Sequence, residues 1–237
     1  MTWSIIARDT ATQRIGIIVA TKFFAVGSRV PHIKTGAGAV ASQAFVNPFY
    51  GPQGIALLLA GASAEDVVRM LTKADEGRDH RQLHVMDRGG RFAAYTGNAC
   101  VDWCGHRSHA GFSVAGNMLA GPGVIEDTTR AYGEGSNLPF ARRLIAAMKA
   151  GEAAGGDKRG KQSAALLVHD DQDYSLLDLR VDDHADPLAE ISRLESSARE
   201  RWVHFRRFMP SRENPSGLVD RATLDDRIAK SIAEGYE

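Results

Sequence analysis

Residues 2–8, TWSIIAR, and residues 15–21, IGIIVAT, are the stretches that decide the fold. Both are apolar and rich in β-branched side chains, and a polar connection separates them. This is the pattern of two paired strands rather than of a helix. Alternation along the first strand places Thr2, Ser4 and Ile6 on one face. The sequence therefore predicts a β-hairpin that carries two hydroxyl groups on one face near its open end.

The chemical interest of this hairpin lies in Thr2. Its side chain is small enough for an aminopeptidase to remove Met1, which would leave a hydroxyl and a free α-amine on one residue. An α-amine has an unperturbed pKa of about 8, low enough for it to act as the base that activates the hydroxyl. Thr2 is thus a candidate nucleophile, and Ser4 is a second hydroxyl nearby. The alternative is that Thr2 has no catalytic role. Small residues also follow Met1 in many proteins that lack this chemistry, so the residue type alone does not decide.

Length, charge and cysteine content limit the class of protein. A chain of 237 residues, 43% of them hydrophobic, can form one large domain with its own core. We assign residues 1–209 to this domain and residues 210–237 to a C-terminal tail with a short helix. The 29 basic and 29 acidic residues balance, which argues against a nucleic-acid or anionic-membrane partner. The sequence has no basic signal sequence and no apolar run of the roughly 20 residues that span a membrane. Its two cysteines are too few for a disulfide framework, which fits a reducing compartment. These features predict a cytoplasmic location.

The middle of the chain alternates between strand and helix patterns. Small residues at 36–45 predict a third strand. Because their side chains are short, either a helix can pack closely on the strand or a ligand can reach its backbone N–H groups, which would then form an oxyanion hole. Pro52 and Gly61 bracket a helix, and Ser63 with Asp66 three residues later opens another. Further strands are expected at residues 81–87, 91–96, 112–119, 163–168 and 175–181, and further helices at residues 123–132, 138–150 and 187–208. Two antiparallel sheets between two helical layers would bury the apolar faces of all these elements.

One stretch has the residue types of a zinc site. Cys100, Cys104, His106 and His109 are close in sequence, and thiolates and neutral imidazoles are good zinc ligands. Their spacing matches no structural zinc site, and the alternative is a turn in which Trp103 packs and His106 is hydrogen bonded. No metal and no cofactor are therefore predicted.

Charged residues mark three further candidate positions. Lys22 follows the second strand, and its ammonium would lower the pKa of a hydroxyl or amine if it returned to the open end of the hairpin. Otherwise it is a solvated lysine. Lys158 and Arg159, in a glycine-rich loop, would bind a carboxylate or phosphate, or they form an exposed basic turn. Asp182 and Asp183 would hold a metal or a substrate ammonium, or they make local hydrogen bonds.

The C-terminal segment predicts a short amphipathic helix. Thr223 and Asp226 have the spacing of a capping box, and Leu224, Ile228 and Ile232 recur on one side of the helix. This side would dock on the same chain or on a sister subunit in a homodimer.

Several motifs along the chain form a set. They are TWSIIARD at residues 2–9, KFFAVG at 22–27, SQAFVNP at 42–48, YGP at 50–52, GNML at 116–119, the loop and strand at 155–165, and DDH at 182–184. Together they resemble the bacterial family of unknown function DUF1028, which is placed in the N-terminal-nucleophile hydrolase superfamily. The resemblance covers most of residues 2–195. It implies an α+β fold, a four-layer αββα sandwich with two antiparallel sheets between helical layers.

The resemblance also implies a mechanism. Processed Thr2 would attack an amide carbonyl with its own α-amine as base, and Lys22 would tune both groups. Ser4 is the alternative nucleophile, but it would require cleavage after Trp3. Backbone N–H groups near residues 42–44, helped by Asn117, would hold the oxyanion, and each donor would contribute roughly 3 kcal/mol.

The expected substrate is a small linear or cyclic amide. The candidate residues for oxyanion or substrate binding are Ser42, Gln43, Asn47, Gly116, Lys158, Arg159 and Asp182. Lys22, Arg29, Lys158 and Arg159 together suggest a carboxylate on the substrate. The alternative is a binding protein without catalysis that uses the same cleft for a sugar or an amino-acid derivative.

Overall fold

The computed structural model describes residues 2–235, and contacts divide the chain into two compact units between Ile191 and Ser192. This division falls before the predicted boundary after residue 209, which stays a prediction. The strands, all in the first unit, are β1 Thr2–Arg8, β2 Ile15–Thr21, β3 Pro31–Lys34, β4 Gly38–Ala44, β5 Arg81–Asp87, β6 Phe92–Thr96, β7 Gly105–His109, β8 Phe112–Asn117, β9 Ser163–His169 and β10 Leu177–Val181. The helices are α1 Tyr50–Leu59, α2 Ala64–Lys73, α3 Gly123–Glu134, α4 Phe140–Ala153, α5 Pro187–Glu200, α6 Trp202–Arg206 and α7 Arg221–Glu234.

The strands form two antiparallel sheets. The larger has the order β10-β9-β2-β1-β8-β7 and the smaller the order β3-β4-β5-β6. The predicted first hairpin is confirmed and lies at the centre of the larger sheet. Strand β1 pairs with β2 on one side and with β8 on the other, so that Thr2 lies opposite both Thr21 and Asn117.

Each sheet is covered by helices on its outer face. Helices α1 and α2 pack on strands of the smaller sheet, whereas α3 and α4 pack on β8 and β2 of the larger one. The inner faces of the two sheets pack against each other through a buried apolar cluster contributed by both. The first unit is therefore an α+β fold of four layers, αββα, as predicted.

Small residues let helix α1 approach the smaller sheet closely. A Cβ atom added at Gly54 of α1 would lie 2.9 Å from Cγ2 of Val40 in β4. The close packing of α1 on β4 thus depends on Gly54 of the helix. Helix α2 begins as predicted, because the side chain of Ser63 accepts a hydrogen bond from the backbone N–H of Asp66 at 3.1 Å.

Strands β3 and β7 were not predicted. Strand β7, GHRSH, lies at an edge of the larger sheet and is largely exposed, so it lacks the alternation of apolar and polar residues that marks a half-buried strand. None of the helices in residues 2–235 has the length and apolar character needed to cross a membrane.

The second unit differs from its prediction in two details. The single helix expected to extend to residue 208 is interrupted at Arg201, which separates α5 from α6. Helix α7 begins before the predicted capping box, because the side chain of Asp220 accepts from the N–H of Thr223 at 2.9 Å. Ile228 is fully buried, but Ile232 is 45% exposed, so the apolar side is narrower than expected. The homodimer stays a prediction.

Candidate functional site

A pocket of about 300 Å³ opens beside Thr2. It lies where the start of β1 and the end of β2 face the end of β4, and the segments that follow β2 and β4 complete its walls. The lining residues are Thr2, Thr21, Phe23, Val26, Arg29, Val30, Gln43, Ala44, Phe45 and Val46. The volume is at the lower end of the range for small-molecule sites, so the pocket fits a small ligand.

Thr2 lines this pocket next to a second threonine, Thr21. Thr2 is 7% exposed, and its Oγ1 donates a hydrogen bond to Oγ1 of Thr21 at 3.2 Å. The two side chains meet because antiparallel pairing places these residues directly opposite each other. Thr21 was missed in the sequence, although its position at the end of the second strand of the hairpin was a usable signal. The predicted removal of Met1 concerns a residue outside the described range.

Two side-chain amides lie against the carbonyl of Thr2. Its oxygen accepts from Nδ2 of Asn117 at 3.3 Å, and Nε2 of Gln43 is 3.5 Å away but also donates to the closer carbonyl of Ala115 at 3.1 Å. Oε1 of Gln82 accepts from both of these amides, at 3.0 Å and 2.8 Å. Both hydrogens of the Asn117 amide therefore have acceptors. In this geometry the Asn117 amide contacts the Thr2 carbonyl and Gln82, and its role as an oxyanion donor stays a prediction.

Gln82 was not singled out in the sequence, and it anchors this arrangement. Its Nε2 donates to the carbonyl of Gly116 at 2.8 Å and to Oγ1 of Thr96 at 2.9 Å. A Cβ atom at Gly116 would lie 2.6 Å from Leu119 and 2.9 Å from Trp3. Gly116, a predicted binding residue, thus allows close packing around the Thr2 strand and supplies a carbonyl acceptor.

Ser4 lies deeper than Thr2 and is fully buried. Its Oγ donates to Oε1 of Gln43 at 2.7 Å and is 2.9 Å from Nε2 of His84. Because Ser4 has a single hydroxyl hydrogen, His84 must carry its own proton on Nε2 and accept at Nδ1 from Ser113 Oγ, 3.1 Å away. Burial, with a smaller contribution from the charge of nearby His106, lowers the pKa of His84 to about 3. Neutral His84 is therefore a donor towards Ser4, and it cannot act as the base that Ser4 would need as a nucleophile.

Of the predicted binding residues, Gln43 lines the pocket, whereas the other six, including Ser42 and Asn47, do not. Ser42 shares its face of β4 with Leu83 of the cluster beneath α1 and α2. Its buried hydroxyl has no hydrogen-bond partner among residues 2–235, and its N–H donates to the carbonyl of Val30 at 3.3 Å. Asn47 donates from Nδ2 to the Asp75 carboxylate at 3.2 Å. Strand alternation explains the outcome for Ser42, since its neighbours Gln43 and Ala41 face the other sheet.

The predicted cations contact other parts of the first unit. Lys22 Nζ donates to the Lys161 carbonyl at 3.1 Å, Lys158 Nζ donates to the Asp102 carbonyl at 2.7 Å, and Arg159 pairs with the Asp157 carboxylate at 3.2 Å. The backbone carbonyl of Asp182 accepts from the N–H of Ala25 at 3.0 Å. Asp182 does not line the pocket either. Arg29 is the basic residue that does line the pocket.

The cysteine and histidine stretch does not gather into one cluster. His106 and His109 lie three positions apart on β7, so they point to opposite faces. Nδ1 of His106 is 2.9 Å from Thr96 Oγ1, and the ring of His109 stacks on Phe112 with centroids 4.9 Å apart. Burial raises the pKa of the Cys104 thiol to about 11. In the part of the chain that the structure describes, no group of three or more His, Cys, Asp or Glu is placed to hold a metal ion.

A family model and solved structures are similar to this chain. The model of the family of unknown function DUF1028 matches residues 2–191. The crystal structure of protein SPO2555 from Silicibacter pomeroyi, assigned to the same family, is 35% identical with a TM-score of 0.86, over 93% of this chain and 96% of that one. Anbu, the ancestral β-subunit from Yersinia bercovieri, is 11% identical with a TM-score of 0.41, over 83% of this chain and 94% of that one. No curated protein matches the sequence.

Proposed function

This chain belongs to the DUF1028 family, and we propose that it is a hydrolase of a small linear or cyclic amide with Thr2 as its nucleophile. One observation carries the proposal. Thr2 lines a pocket of small-molecule size at the end of a central strand, and the buried amide of Asn117 donates to the carbonyl of the same residue, with the amide of Gln43 close by. A nucleophile held in this way is oriented before substrate binds, which is the condition for effective covalent catalysis.

The proposed reaction requires prior removal of Met1, which exposes the α-amine of Thr2. Before substrate binds, the hydroxyl hydrogen of Thr2 points to Thr21. It turns to the amine, which takes this proton as Oγ1 attacks the amide carbonyl. The C–N bond then breaks, the proton passes to the leaving nitrogen, and an acyl ester remains on Oγ1. Water hydrolyses the ester to a carboxylic acid and restores the free threonine.

The oxyanion donors are proposed to come from the end of β4. Within the predicted stretch, the N–H of Ser42 already donates to Val30, whereas Ala44 lines the pocket. Ala44 has a φ of 70°, a left-handed conformation that is uncommon for a residue with a side chain. Removing one oxyanion donor typically costs about 10²–10³ in kcat. The proposal needs no cofactor, and it keeps the cytoplasmic location predicted from the sequence.

Intact mass and a substrate screen test the proposal together. We expect purified protein to begin at Thr2 and to hydrolyse at least one compound from a panel of amides, lactams and ureides. Thr2→Val, which keeps the shape of the side chain and removes the hydroxyl, should abolish turnover with an unchanged melting temperature, whereas Thr2→Ser should retain activity. Mass spectrometry of wild-type protein quenched during turnover should detect an acyl adduct on the N-terminal peptide.

Ser4→Ala serves as the control for the position of the nucleophile. Because Ser4 is fully buried outside the pocket lining, this variant should form the same acyl adduct on Thr2. Turnover that survives in Thr2→Val but not in Ser4→Ala would transfer the role to Ser4. Retention of Met1 on essentially all molecules, with ligand binding but no turnover, would favour the binding protein without catalysis.

A further inference from the structure

We infer that the pocket selects amides that carry a carboxylate and an apolar or aromatic group, and that Arg29 binds the carboxylate. N-acyl amino acids with an apolar side chain are the simplest compounds of this class. The inference rests on the proposed function for the bond that is cleaved. It concerns a different part of the pocket, namely its charged and aromatic walls.

The charge of Arg29 is uncompensated. Its guanidinium makes no hydrogen bond and no ion pair with any residue in the range 2–235, and the other residues that line the pocket are uncharged. By contrast, Lys158 and Arg159 contact a carbonyl and a carboxylate of the chain. Arg29 is exposed, and an available guanidinium at the edge of a largely apolar pocket attracts an anionic group through charge-assisted hydrogen bonds.

The backbone that carries Arg29 is held in place before any ligand binds. The N–H of Ala25 donates to the Asp182 carbonyl at 3.0 Å, and the N–H of Val26 donates to Oγ of Ser163 at 3.1 Å. The N–H of Arg29 itself donates to the Val26 carbonyl at 3.1 Å. Only the side chain of Arg29 therefore has to become ordered on binding, which limits the entropic cost.

Two exposed aromatic residues from different segments line the pocket. Phe23 follows β2 and is 65% exposed, and Phe45 follows β4 and is 76% exposed. The Phe45 segment is tied down, since its N–H donates to the His80 carbonyl at 3.1 Å and the guanidinium of Arg81 lies 5.7 Å above its ring. A ligand with an apolar or planar group between these rings would bury surface that is otherwise exposed to water.

The charge count favours a carboxylate over a phosphate ester or an amine. Arg29 supplies one positive charge in a fork geometry that matches the two oxygens of a carboxylate. A phosphate monoester carries nearly two negative charges at neutral pH, whereas Arg29 is the one charged side chain among the described residues that line the pocket. The α-amine of processed Thr2 acts as the base in the proposed reaction and must be neutral there, so it does not serve as a second cation for a phosphate. An ammonium group would face the same guanidinium without a carboxylate partner. The hydroxyl of Thr2 is the group that would attack the amide carbonyl.

Calorimetric titration of the Thr2→Val protein tests the inference without any turnover. The probes are N-acetylphenylalanine and N-acetylphenylalaninamide, which differ in whether the C-terminal group is a carboxylate or a neutral amide. We expect the acid to bind roughly 10-fold to 100-fold more tightly, the range for a hydrogen bond to a charged group. Arg29→Gln in the same background should remove this preference, and Arg29→Lys should keep part of it.

Two surface variants are matched controls. Arg130 is an exposed arginine on α3 that pairs with Asp127, so Arg130→Gln should leave the preference for the acid unchanged. Phe24 is 61% exposed but does not line the pocket, unlike its neighbour Phe23. Phe23→Ala should therefore weaken binding of both probes several-fold, whereas Phe24→Ala should not.

Equal affinity for the acid and the amide would overturn the inference, and so would a preference that persists in Arg29→Gln. Tighter binding of phenyl phosphate than of N-acetylphenylalanine would also overturn it, because Arg29 would then serve a phosphate. Hydrolysis of neutral amides by the wild type without preference for acids would remove the role of Arg29 and leave the proposed hydrolase standing. Binding of the acid through Arg29 without turnover would support the inference and remove the proposed catalysis.

Discussion

The layer between the two sheets has an apolar half and a polar half that are equally well buried. The apolar half includes Ile17, Val19 and Met86, all without solvent exposure. The polar half comprises Ser4, Gln43, Gln82, His84, Ser113 and Asn117, of which none is more than 2% exposed. The apolar half requires only complementary shape, whereas every donor and acceptor of the polar half needs a partner in the correct direction. The polar half can thus hold Thr2 in one position.

Strand β1 contributes to both halves. Ile6 packs in the apolar cluster, whereas Ser4 and Thr2, two and four positions earlier on the same face, join the polar network and the pocket. The two halves are therefore neighbours along a single strand. We expect substitutions in the apolar half to affect stability, and substitutions in the polar half to affect both stability and the function of Thr2.

Ile17→Ala should cause a large loss of stability with little effect on activity. Removing buried methyl groups from the fully buried side chain of Ile17 should lower the free energy of unfolding by about 2–5 kcal/mol. The activity of the remaining folded protein should be close to that of the wild type. Urea unfolding followed by circular dichroism measures the effect. Leu59, which is 59% exposed, supplies the control, and Leu59→Ala should change stability by less than about 0.5 kcal/mol.

Gln82→Leu should affect the polar half in a different way. The variant removes the acceptor of the Gln43 and Asn117 amides, and each buried group left without a partner costs about 1–3 kcal/mol. Because those amides hold the Thr2 carbonyl, kcat should fall much more than in Ile17→Ala, with a smaller change in KM. A Gln82→Leu protein with wild-type kcat would show that the network has no part in positioning Thr2.

His84→Gln should change how stability depends on pH. Folded His84 stays neutral down to a pKa of about 3, whereas in the unfolded chain a histidine binds a proton below about pH 6.5. Its contribution to stability is therefore fully present above pH 6.5 and decreases as the pH falls towards 3, by at most about 1.4 kcal/mol per pH unit.

The measurement is the free energy of unfolding of wild type and His84→Gln between pH 7 and pH 4. The variant should lose stability less steeply with acid than the wild type does. His109→Gln, at an exposed position on β7, should keep the wild-type slope. Parallel curves for wild type and His84→Gln would mean that His84 takes up its proton in the folded protein as readily as in the unfolded one.

Ser42→Ala should give the smallest change in the free energy of unfolding, and it should raise this free energy rather than lower it. The Ser42 hydroxyl is buried without a partner among the described residues and faces the helices, so its removal should raise the free energy of unfolding by up to about 1 kcal/mol. Ser4→Ala, in the polar half, should instead lower it by about 1–3 kcal/mol, because Gln43 and His84 lose a partner. Thermal unfolding of the two variants side by side tests this contrast.

Local patterns were sufficient for most secondary-structure elements. The first hairpin, the hairpin at residues 81–96 and the Ser63 cap depend on neighbours within a few positions, and these predictions are confirmed. Strand β7 was missed because an exposed edge strand has no apolar alternation. The break at Arg201 was missed because the residues around it are compatible with a continuous helix.

Strand alternation within the chain was enough to place Thr2 and Ser4 on one face and to name both hydroxyls. The residues that surround Thr2 depend on the register between strands that are distant in sequence, which only the tertiary structure shows. It brought Thr21 opposite Thr2, set the amides of Gln43 and Asn117 on the Thr2 carbonyl, and turned Ser42 towards the helices. Long basic side chains carry no pattern that reveals their direction. Arg29 therefore became distinct from Lys22, Lys158 and Arg159 only when folding placed it beside the pocket and gave the other three their partners.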